Sequence, residues 1–233
     1  MFFEKEYKMI PYIINNIKNI FSINNKFAIA REVSVSSRII DIVFLTIEND
    51  NMIDESLIKK LKRLKISEQY VLSLMSEYGT FSIQRIAADT FSDYHDVKNK
   101  YITSFEKLDF IKQTSRFRYK IIDELSDSLG KLYAIEAKLS NWREAIEQAE
   151  DTKIFADYSY VAMDADFVNK RKEKLIPEFS KKNIGLILVN NNGEVKKVVN
   201  SNGMRAKNKF ESKLQQIRAL QDFNSNKKWK VVH

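Results

Sequence analysis

The stretch KLYAIEAK at residues 131–138 has the pattern of a short apolar strand that ends in charged residues. The positions of the other predicted strands are considered relative to it. Side chains two residues apart on a strand share a face, so Glu136 and Lys138 are expected to face the same point. Earlier in the chain, FAIAREVSV (residues 27–35) and RIIDIVFLTI (residues 38–47) predict an antiparallel hairpin. Each hairpin strand contains a carboxylate, Glu32 in the first and Asp41 in the second. If the strand over residues 131–138 lies beside this hairpin, Asp41 joins Glu136 and Lys138.

Strand and helix patterns follow one another after Lys138. Apolar strands are predicted at residues 158–163, 184–189 and 195–199, and helices after Asn141, over residues 165–180 and over residues 205–221. Alternating strands and helices imply right-handed crossovers and parallel pairing. Together with the hairpin and an amphipathic helix at residues 4–20, the pattern predicts an α/β fold with a mixed central sheet flanked by helices.

The segment between the second and third strands has a different pattern of predicted elements. Three short helical patterns followed by the basic hairpin sequence IKQTSRFRYKII (residues 111–122) are typical of a winged helix-turn-helix. We therefore predict a core in two halves, residues 1–50 and 123–200, an insert over residues 51–122, and a basic C-terminal helix and tail over residues 201–233. Winged helices also serve as protein-binding or dimerisation modules, and this one is only weakly basic, so both roles stay open.

Residue counts restrict the chemistry. The chain has no cysteine, and its only histidines are His95 and His233. Disulfide scaffolds, thiol nucleophiles and cysteine-based metal sites are excluded, and a Ser–His–Asp triad is nearly so. Carboxylates, lysines and hydroxyls remain. The sequence also lacks a membrane-spanning segment and a signal-peptide pattern, so we expect a cytoplasmic protein without membrane contact.

Positive charge is concentrated at the end of the chain. Residues 169–233 contain 16 basic and 5 acidic residues, whereas residues 1–168 contain 23 basic and 26 acidic ones. An uneven distribution of this kind is typical of a surface that faces a polyanion, here DNA. The candidate phosphate contacts are Lys98 and Lys100 on the third helix of the insert, Arg116, Arg118 and Lys120 on its hairpin, and Lys170, Arg171 and Lys172 near the C-terminal third. A solvated lysine-rich face is the alternative for residues 170–174.

The carboxylates need compensation if they are buried. Asp41 lies among isoleucines and a valine, where an isolated charge is costly. A Mg²⁺ or Mn²⁺ ion held by Asp41, Glu136 and the backbone carbonyl of Ala137 would supply that compensation, since Mg²⁺ prefers a few oxygen ligands and several waters. Lys138 would orient and help to deprotonate the attacking water or stabilise the developing charge, and Glu32 would hold a metal-bound water.

At these residues the chain resembles the PD-(D/E)XK, or restriction-endonuclease-like, nuclease superfamily. The matching pieces are AREVSV with Glu32, RIIDIVF with Asp41, YAIEAK with Glu136 and Lys138, and the following WREAIEQA. The resemblance implies a metal-dependent DNA endonuclease acting in defence, restriction or repair. It also implies a supporting role for Gln148 and an aromatic role for Tyr158 or Tyr160. Ile40 stands where many members have proline, and an insert accounts for the long gap between Asp41 and Glu136.

Other interpretations of the same residues remain open at this point. Glu136 and Lys138 would also fit an exposed salt bridge on an edge strand, and Asp41 would be satisfied by Arg38 or a backbone amide. Glu32 would pair with Arg31 or Arg38. At the level of the whole protein, the alternative is a non-catalytic DNA-binding regulator or complex subunit on a nuclease-like scaffold. A homodimer or a larger complex is compatible with either function.

Overall fold

The computed structural model describes residues 3–35, 38–47, 53, 55–126 and 129–221. Within them, six strands form one mixed sheet in the order β1-β2-β5-β6-β7-β8, and two form a separate hairpin. The strands are β1 (Phe27–Val35), β2 (Arg38–Ile47), β3 (Ile111–Ser115), β4 (Arg118–Ile121), β5 (Gly130–Lys138), β6 (Tyr158–Asp164), β7 (Gly185–Val189) and β8 (Val195–Val199). Strands β1, β2 and β5 pair antiparallel, β5, β6 and β7 pair parallel, and β8 returns antiparallel. The mixed sheet expected from the sequence is confirmed.

Eleven α-helices surround the two sheets in the described part of the chain. They are α1 (Ile10–Phe21), α2 (Glu55–Leu61), α3 (Ile66–Ser76), α4 (Ile83–Asp89), α5 (Tyr94–Asp96), α6 (Thr103–Lys107), α7 (Asp123–Ser126), α8 (Trp142–Thr152), α9 (Ala165–Asn169), α10 (Lys172–Lys181) and α11 (Lys209–Gln221). A 3₁₀ turn, Glu6–Lys8, precedes α1, and a π-helical segment, Val97–Ile102, joins α5 to α6. The helix expected over residues 165–180 is in fact two helices, and the last helix begins at Lys209 instead of near Arg205. None of the helices described is long and apolar enough to cross a bilayer.

Side chains at alternating positions of the strands belong to different hydrophobic cores on the two faces of the sheet. Helix α1 covers one face, where its buried isoleucines pack against Ile42, Phe44 and Ile135. On the other face, Val161 and Met163 pack against α8 and α10. The period of two along each strand therefore produces a three-layer arrangement of helix, sheet and helices.

The segment between β2 and β5 leaves and returns at one end of the sheet, because Ile47 and Gly130 are register partners. Helices α3 to α6 and the β3–β4 hairpin follow each other there, and Phe81 bridges to Tyr119 of β4. A single apolar cluster joins this segment to the sheet residues Val43 and Leu45 and to α11. The segment is thus packed onto the sheet as well as connected to it.

Replacing Phe44 with alanine tests the α1 face of the sheet. The Phe44 ring is fully buried and stacks on Tyr133 with ring centroids 4.4 Å apart. Removing it creates a cavity, and we expect Phe44→Ala to lower the free energy of unfolding by about 3–5 kcal/mol in urea denaturation. Phe91, whose side chain is 98% exposed, offers the matched control, and Phe91→Ala is expected to change stability by less than about 0.5 kcal/mol. Similar losses in both variants would contradict the packing described here.

Candidate active site

Two carboxylates meet where the pairing of β2 with β5 ends. The last register partners are Ile42 and Ile135, so the next positions, Asp41 and Glu136, face each other across the two strands. Beyond this point the ladder does not continue, and the Ala137 N–H donates to Asp41 Oδ2 over 2.8 Å. Asp41 is therefore satisfied in part by a backbone amide, one of the alternatives that the sequence left open.

Burial dominates the electrostatics of Glu136. Its side chain is 3% exposed, since β5 lies inside the sheet between β2 and β6 and is not an edge strand. Burial first, and then the neighbouring Asp41 carboxylate, raise the pKa of Glu136 to about 8, and burial also raises the pKa of Asp41. Glu136 Oε1 is buried without a hydrogen-bond partner. Near neutral pH the pair therefore retains a proton.

Lys138 is held in its ammonium form at the end of β5. Burial acts to lower the pKa of Lys138, but its hydrogen bond to Glu144 and the charges of Glu6, Glu144 and Asp41 outweigh burial and raise it. Its Nζ lies 3.2 Å from Glu144 Oε1 and 3.8 Å from Glu6 Oε2. A charged ammonium donates hydrogen bonds and cannot accept a proton. Of the roles expected for Lys138, orientation of water and stabilisation of negative charge fit this state, and proton abstraction does not.

Gln148 reaches the site through Glu144. Helix α8 begins with a side-chain cap, because Asn141 Oδ1 accepts from the Glu144 N–H and Asn141 Nδ2 donates to Glu144 Oε2 over 2.7 Å. One turn later, Gln148 Nε2 donates to Glu144 Oε1 over 3.0 Å, while Gln148 Oε1 is buried without a partner. Gln148 thus lies one hydrogen bond away from the partner of Lys138.

The sequence did not indicate Glu6 or Glu144 as part of this cluster. Glu144 was visible only as the third residue after the Asn141 cap, a spacing that has an ordinary structural explanation. Glu6 lies in the 3₁₀ turn before α1, where Glu6 Oε1 accepts from the Leu139 N–H over 3.4 Å. No periodicity connects residues so distant in sequence, so only the folded chain brings Glu6 to Lys138.

Glu32 lies at the margin of the cluster. It occupies the β1 position opposite Asp41, but its backbone φ is +51° and its side chain is exposed. Its negative charge adds to the elevation of the pKa of Asp41. The pairing considered for it with Arg38 does not occur, since Arg38 binds Asp151 at 2.8 Å. Glu32 thus contributes negative charge near Asp41. Among the described residues, it makes no hydrogen bond to Asp41 or Glu136.

Tyr158 and Tyr160 lie away from the carboxylates. Tyr160 is the register partner of Ile135 and packs with it on the α1 face, where its ring meets Phe21 at 4.9 Å. Tyr158 stacks on Tyr133 at 4.4 Å in the same layer. The structure therefore does not bring either tyrosine to the site, because odd and even positions of β5 and β6 point to opposite faces.

The residues expected to contact phosphates fall into three places. Lys98 and Lys100 are exposed on the π-helical segment, and Lys100 pairs with Asp96 at 3.4 Å. On the β3–β4 hairpin, the Arg116 guanidinium covers the Phe117 ring at 5.2 Å, Arg118 is exposed, and Lys120 pairs with Asp123 at 2.6 Å. The third place is the junction of α9 and α10, where Lys170, Arg171 and Lys172 are exposed.

Only the third basic group lies at the end of the sheet that carries the carboxylates. Strands β5 and β6 are parallel, with Lys138 opposite Met163, so α9 starts beside the end of β5. The two elements are also joined through Trp142, the first residue of α8, because Lys174 of α10 lies 5.7 Å from its ring. Residues 170–174 therefore flank the site.

A cation at this site would depend on few protein ligands. Among the residues described, no group of three or more His, Cys, Asp or Glu is arranged to hold a metal. Asp41 and Glu136 supply two carboxylates. The Ala137 carbonyl points to the same side as the Ala137 N–H, toward β2, since extended residues direct both groups to one neighbour. Two carboxylates, one carbonyl and water match the preference of Mg²⁺, and the orphaned Glu136 oxygen fits such an ion.

The free energy of unfolding of the metal-free protein should fall as pH rises. A carboxyl group whose pKa is higher in the folded state binds its proton more tightly there, so folding is favoured while the proton is bound. Between the ordinary glutamate range and about 8, we expect Glu136 to cost up to about 1.4 kcal/mol of unfolding free energy per pH unit. In urea denaturation with EDTA, Glu136→Gln should remove most of this slope and be more stable than wild type at pH 8. Glu147→Gln, on the exposed face of α8, should keep it; an unchanged slope in Glu136→Gln would contradict the buried pair.

Comparisons of the chain with known proteins gave no match. No family model matches the sequence, and neither the curated proteins nor the solved structures contain a match.

Proposed function

We propose that this protein is a metal-dependent nuclease that hydrolyses phosphodiester bonds in DNA. The observation that carries the proposal is the pair of the half-buried Asp41 and the buried Glu136 at opposed positions of β2 and β5, with the Lys138 ammonium at the end of β5. A fold that brings two carboxyl groups together away from water loses stability, which is typical of a functional site. The PD-(D/E)XK resemblance of the same residues supports this assignment and the restriction-endonuclease-like description of the sheet.

In this proposal Asp41, Glu136 and the Ala137 carbonyl hold Mg²⁺ or Mn²⁺. A bound divalent cation neutralises phosphate charge and lowers the pKa of a water ligand. The protein's own part is to position its ligands: the Ala137 N–H fixes one oxygen of Asp41, and the sheet fixes Glu136 opposite it. To hold a cation, Asp41 and Glu136 would have to release to solvent the proton that the pair carries near neutral pH.

Lys138 serves in this mechanism as a positive charge beside the reacting phosphate. Glu6 and Glu144 hold its ammonium beside the carboxylates, and Gln148 in turn holds Glu144. From there Lys138 orients the attacking water and stabilises the negative charge that develops on the phosphate oxygens. Glu6, Glu144 and Gln148 are positioning residues in this arrangement, since each acts through another side chain.

The substrate is bound by two basic regions. The segment of Lys170, Arg171 and Lys172 flanks the carboxylates and holds the phosphates next to the scissile bond. Helices α3 to α6 with the β3–β4 hairpin form, in this proposal, a winged helix that binds the duplex farther away, through Lys98, Lys100, Arg116, Arg118 and Lys120. Its chain ends at Ile47 and Gly130 lie at the opposite end of the sheet from Asp41, six residues or about 20 Å along β2.

Plasmid cleavage with Mg²⁺ or Mn²⁺ tests the proposal. Wild-type protein should nick or linearise supercoiled DNA, and EDTA should abolish the reaction. Asp41→Ala should reduce the rate to background because a metal ligand is lost, and Lys138→Ala should reduce it by about a hundredfold or more. Glu147→Gln, one residue before Gln148 on the exposed face of α8, should cleave like wild type.

Two results would contradict the nuclease proposal. One is cleavage that survives both Asp41→Ala and Lys138→Ala, which would point to a contaminating enzyme. The other is metal-independent DNA binding without any cleavage, which would favour the non-catalytic regulator. Gel-shift measurements on the same preparations separate these results, because the variants should bind DNA as well as wild type does.

Metal affinity should depend on pH in a defined direction. Because the cation must displace the proton held by Asp41 and Glu136, Mn²⁺ affinity should rise between pH 6 and about 8, by up to about tenfold per pH unit, and then level off. Titration of Mn²⁺ followed by electron paramagnetic resonance measures this directly. Glu136→Gln should bind Mn²⁺ weakly and lose most of the pH dependence. Equal Mn²⁺ affinity in this variant would remove Glu136 from the ligand set.

A further inference from the structure

The β3–β4 hairpin projects from the insert on a buried base. Phe81 and Tyr119 exchange two backbone hydrogen bonds of 2.9 and 2.8 Å, and their rings stack with centroids 6.1 Å apart. Ile111 and Ile121, which are register partners, are also buried there. Beyond these residues, every side chain from position 112 to position 118 is exposed. The hairpin is thus fixed to the insert at one end and exposed to solvent at the other.

Side chains of β3 order the turn at the tip of this hairpin. Gln113 Nε2 donates to the Arg116 carbonyl over 3.1 Å, and Thr114 Oγ1 donates to the Arg118 carbonyl over 3.3 Å. The two turn residues, Arg116 and Phe117, therefore have a defined backbone before any partner binds. A pre-ordered surface loses less conformational entropy on association than a flexible loop does.

Every charged residue of the hairpin is basic. Residues 110–122 contain four basic residues and no acidic one. Lys120 pairs with Asp123 at 2.6 Å, and this hydrogen bond, together with the charges of Lys120 and Lys112, lowers the pKa of Asp123. Both lysines are therefore partly neutralised. Arg116 and Arg118, by contrast, have no carboxylate within salt-bridge distance in the part of the chain that the structure describes.

An aromatic ring lies between these two arginines in the chain. The Phe117 side chain is 58% exposed, and no other aromatic ring packs on it among the described residues. The Arg116 guanidinium lies 5.2 Å from the centre of the ring. Because one guanidinium covers only one face, and more than half of the side chain is exposed, the other face can receive a flat partner.

We propose that the hairpin tip binds an unpaired base of DNA, with Phe117 stacked on the base and Arg116 and Arg118 on the phosphates beside it. Two arginines without ionic partners favour a polyanion, and a base supplies a flat apolar surface next to those phosphates. Inside a duplex, both faces of a base are covered by its stacked neighbours, so the ring reaches an unpaired base at the lowest cost. The inference rests on the proposed function for DNA as the partner, and it adds that the substrate carries unpaired bases.

Fluorescence anisotropy in EDTA measures binding without cleavage. Two labelled duplexes of equal length are compared, one fully paired and one with a single unpaired adenine in the middle. Wild type should bind the bulged duplex about fivefold or more tightly than the paired one, since stacking on the base adds to the phosphate contacts. Phe117→Ala should lose this preference, and Phe117→Trp should keep it. Phe91→Ala removes a ring of the insert that is 98% exposed and should behave like wild type.

Removing the two arginines should weaken binding to both duplexes alike. Arg116→Gln/Arg118→Gln should also lower the slope of log affinity against log salt concentration by about two, because each arginine neutralises a phosphate. Lys181→Gln/Lys196→Gln removes two exposed lysines outside the insert and should leave the slope unchanged. Thermal unfolding checks that all variants are folded.

Equal affinity of wild type for the two duplexes would overturn the proposal, and so would a preference that the folded Phe117→Ala variant retains. Absence of binding to either duplex would also overturn it and would favour a protein partner for the hairpin. These outcomes are distinct from failure of the nuclease proposal. Plasmid cleavage without a preference for the bulged duplex contradicts only the role of the hairpin tip, whereas the preference without any cleavage contradicts only the nuclease.

Discussion

The register of β2 and β5, which apolar packing fixes, is the constraint on which the site depends, because it holds the half-buried Asp41 opposite the buried Glu136 inside a six-stranded sheet. Asp41 and Glu136 would separate if either strand shifted by one residue, because a shift of one moves every side chain to the other face. Apolar packing on both sides fixes the register, with Ile42, Phe44 and Ile135 on the α1 face and Val43 on the other. Hydrophobic burial along the strands therefore offsets the electrostatic cost at their ends.

The two ends of the sheet differ in chemistry. One end carries the carboxylate pair, the Lys138 ammonium and the basic junction between α9 and α10. The other end carries the insert. Helix α11 connects the insert to the sheet, since Arg218 donates to the Ser34 carbonyl over 2.7 Å and Gln221 donates to the Leu61 carbonyl over 2.6 Å.

Much of the fold could be predicted because each element carries its own local pattern. The hairpin, the strand over residues 131–138 and the parallel strands after it follow from period-two apolar alternation and from the order of strands and helices. The boundary errors have local causes. The helix expected over residues 165–180 breaks at Lys170 and Arg171, and Pro177 is accommodated within α10 instead of ending it.

The sequence by itself determined that the chain is α/β and that its chemistry must use carboxylates and lysine. It also placed Asp41 in one predicted strand and Glu136 and Lys138 on one face of another, since strand alternation and residue type are local properties. Only the tertiary structure decided that β2 and β5 are neighbours, that Glu6 and Glu144 hold Lys138, and that Tyr160 faces away. These contacts join residues far apart in the chain, and their geometry exists only once the sheet and its helices are packed together.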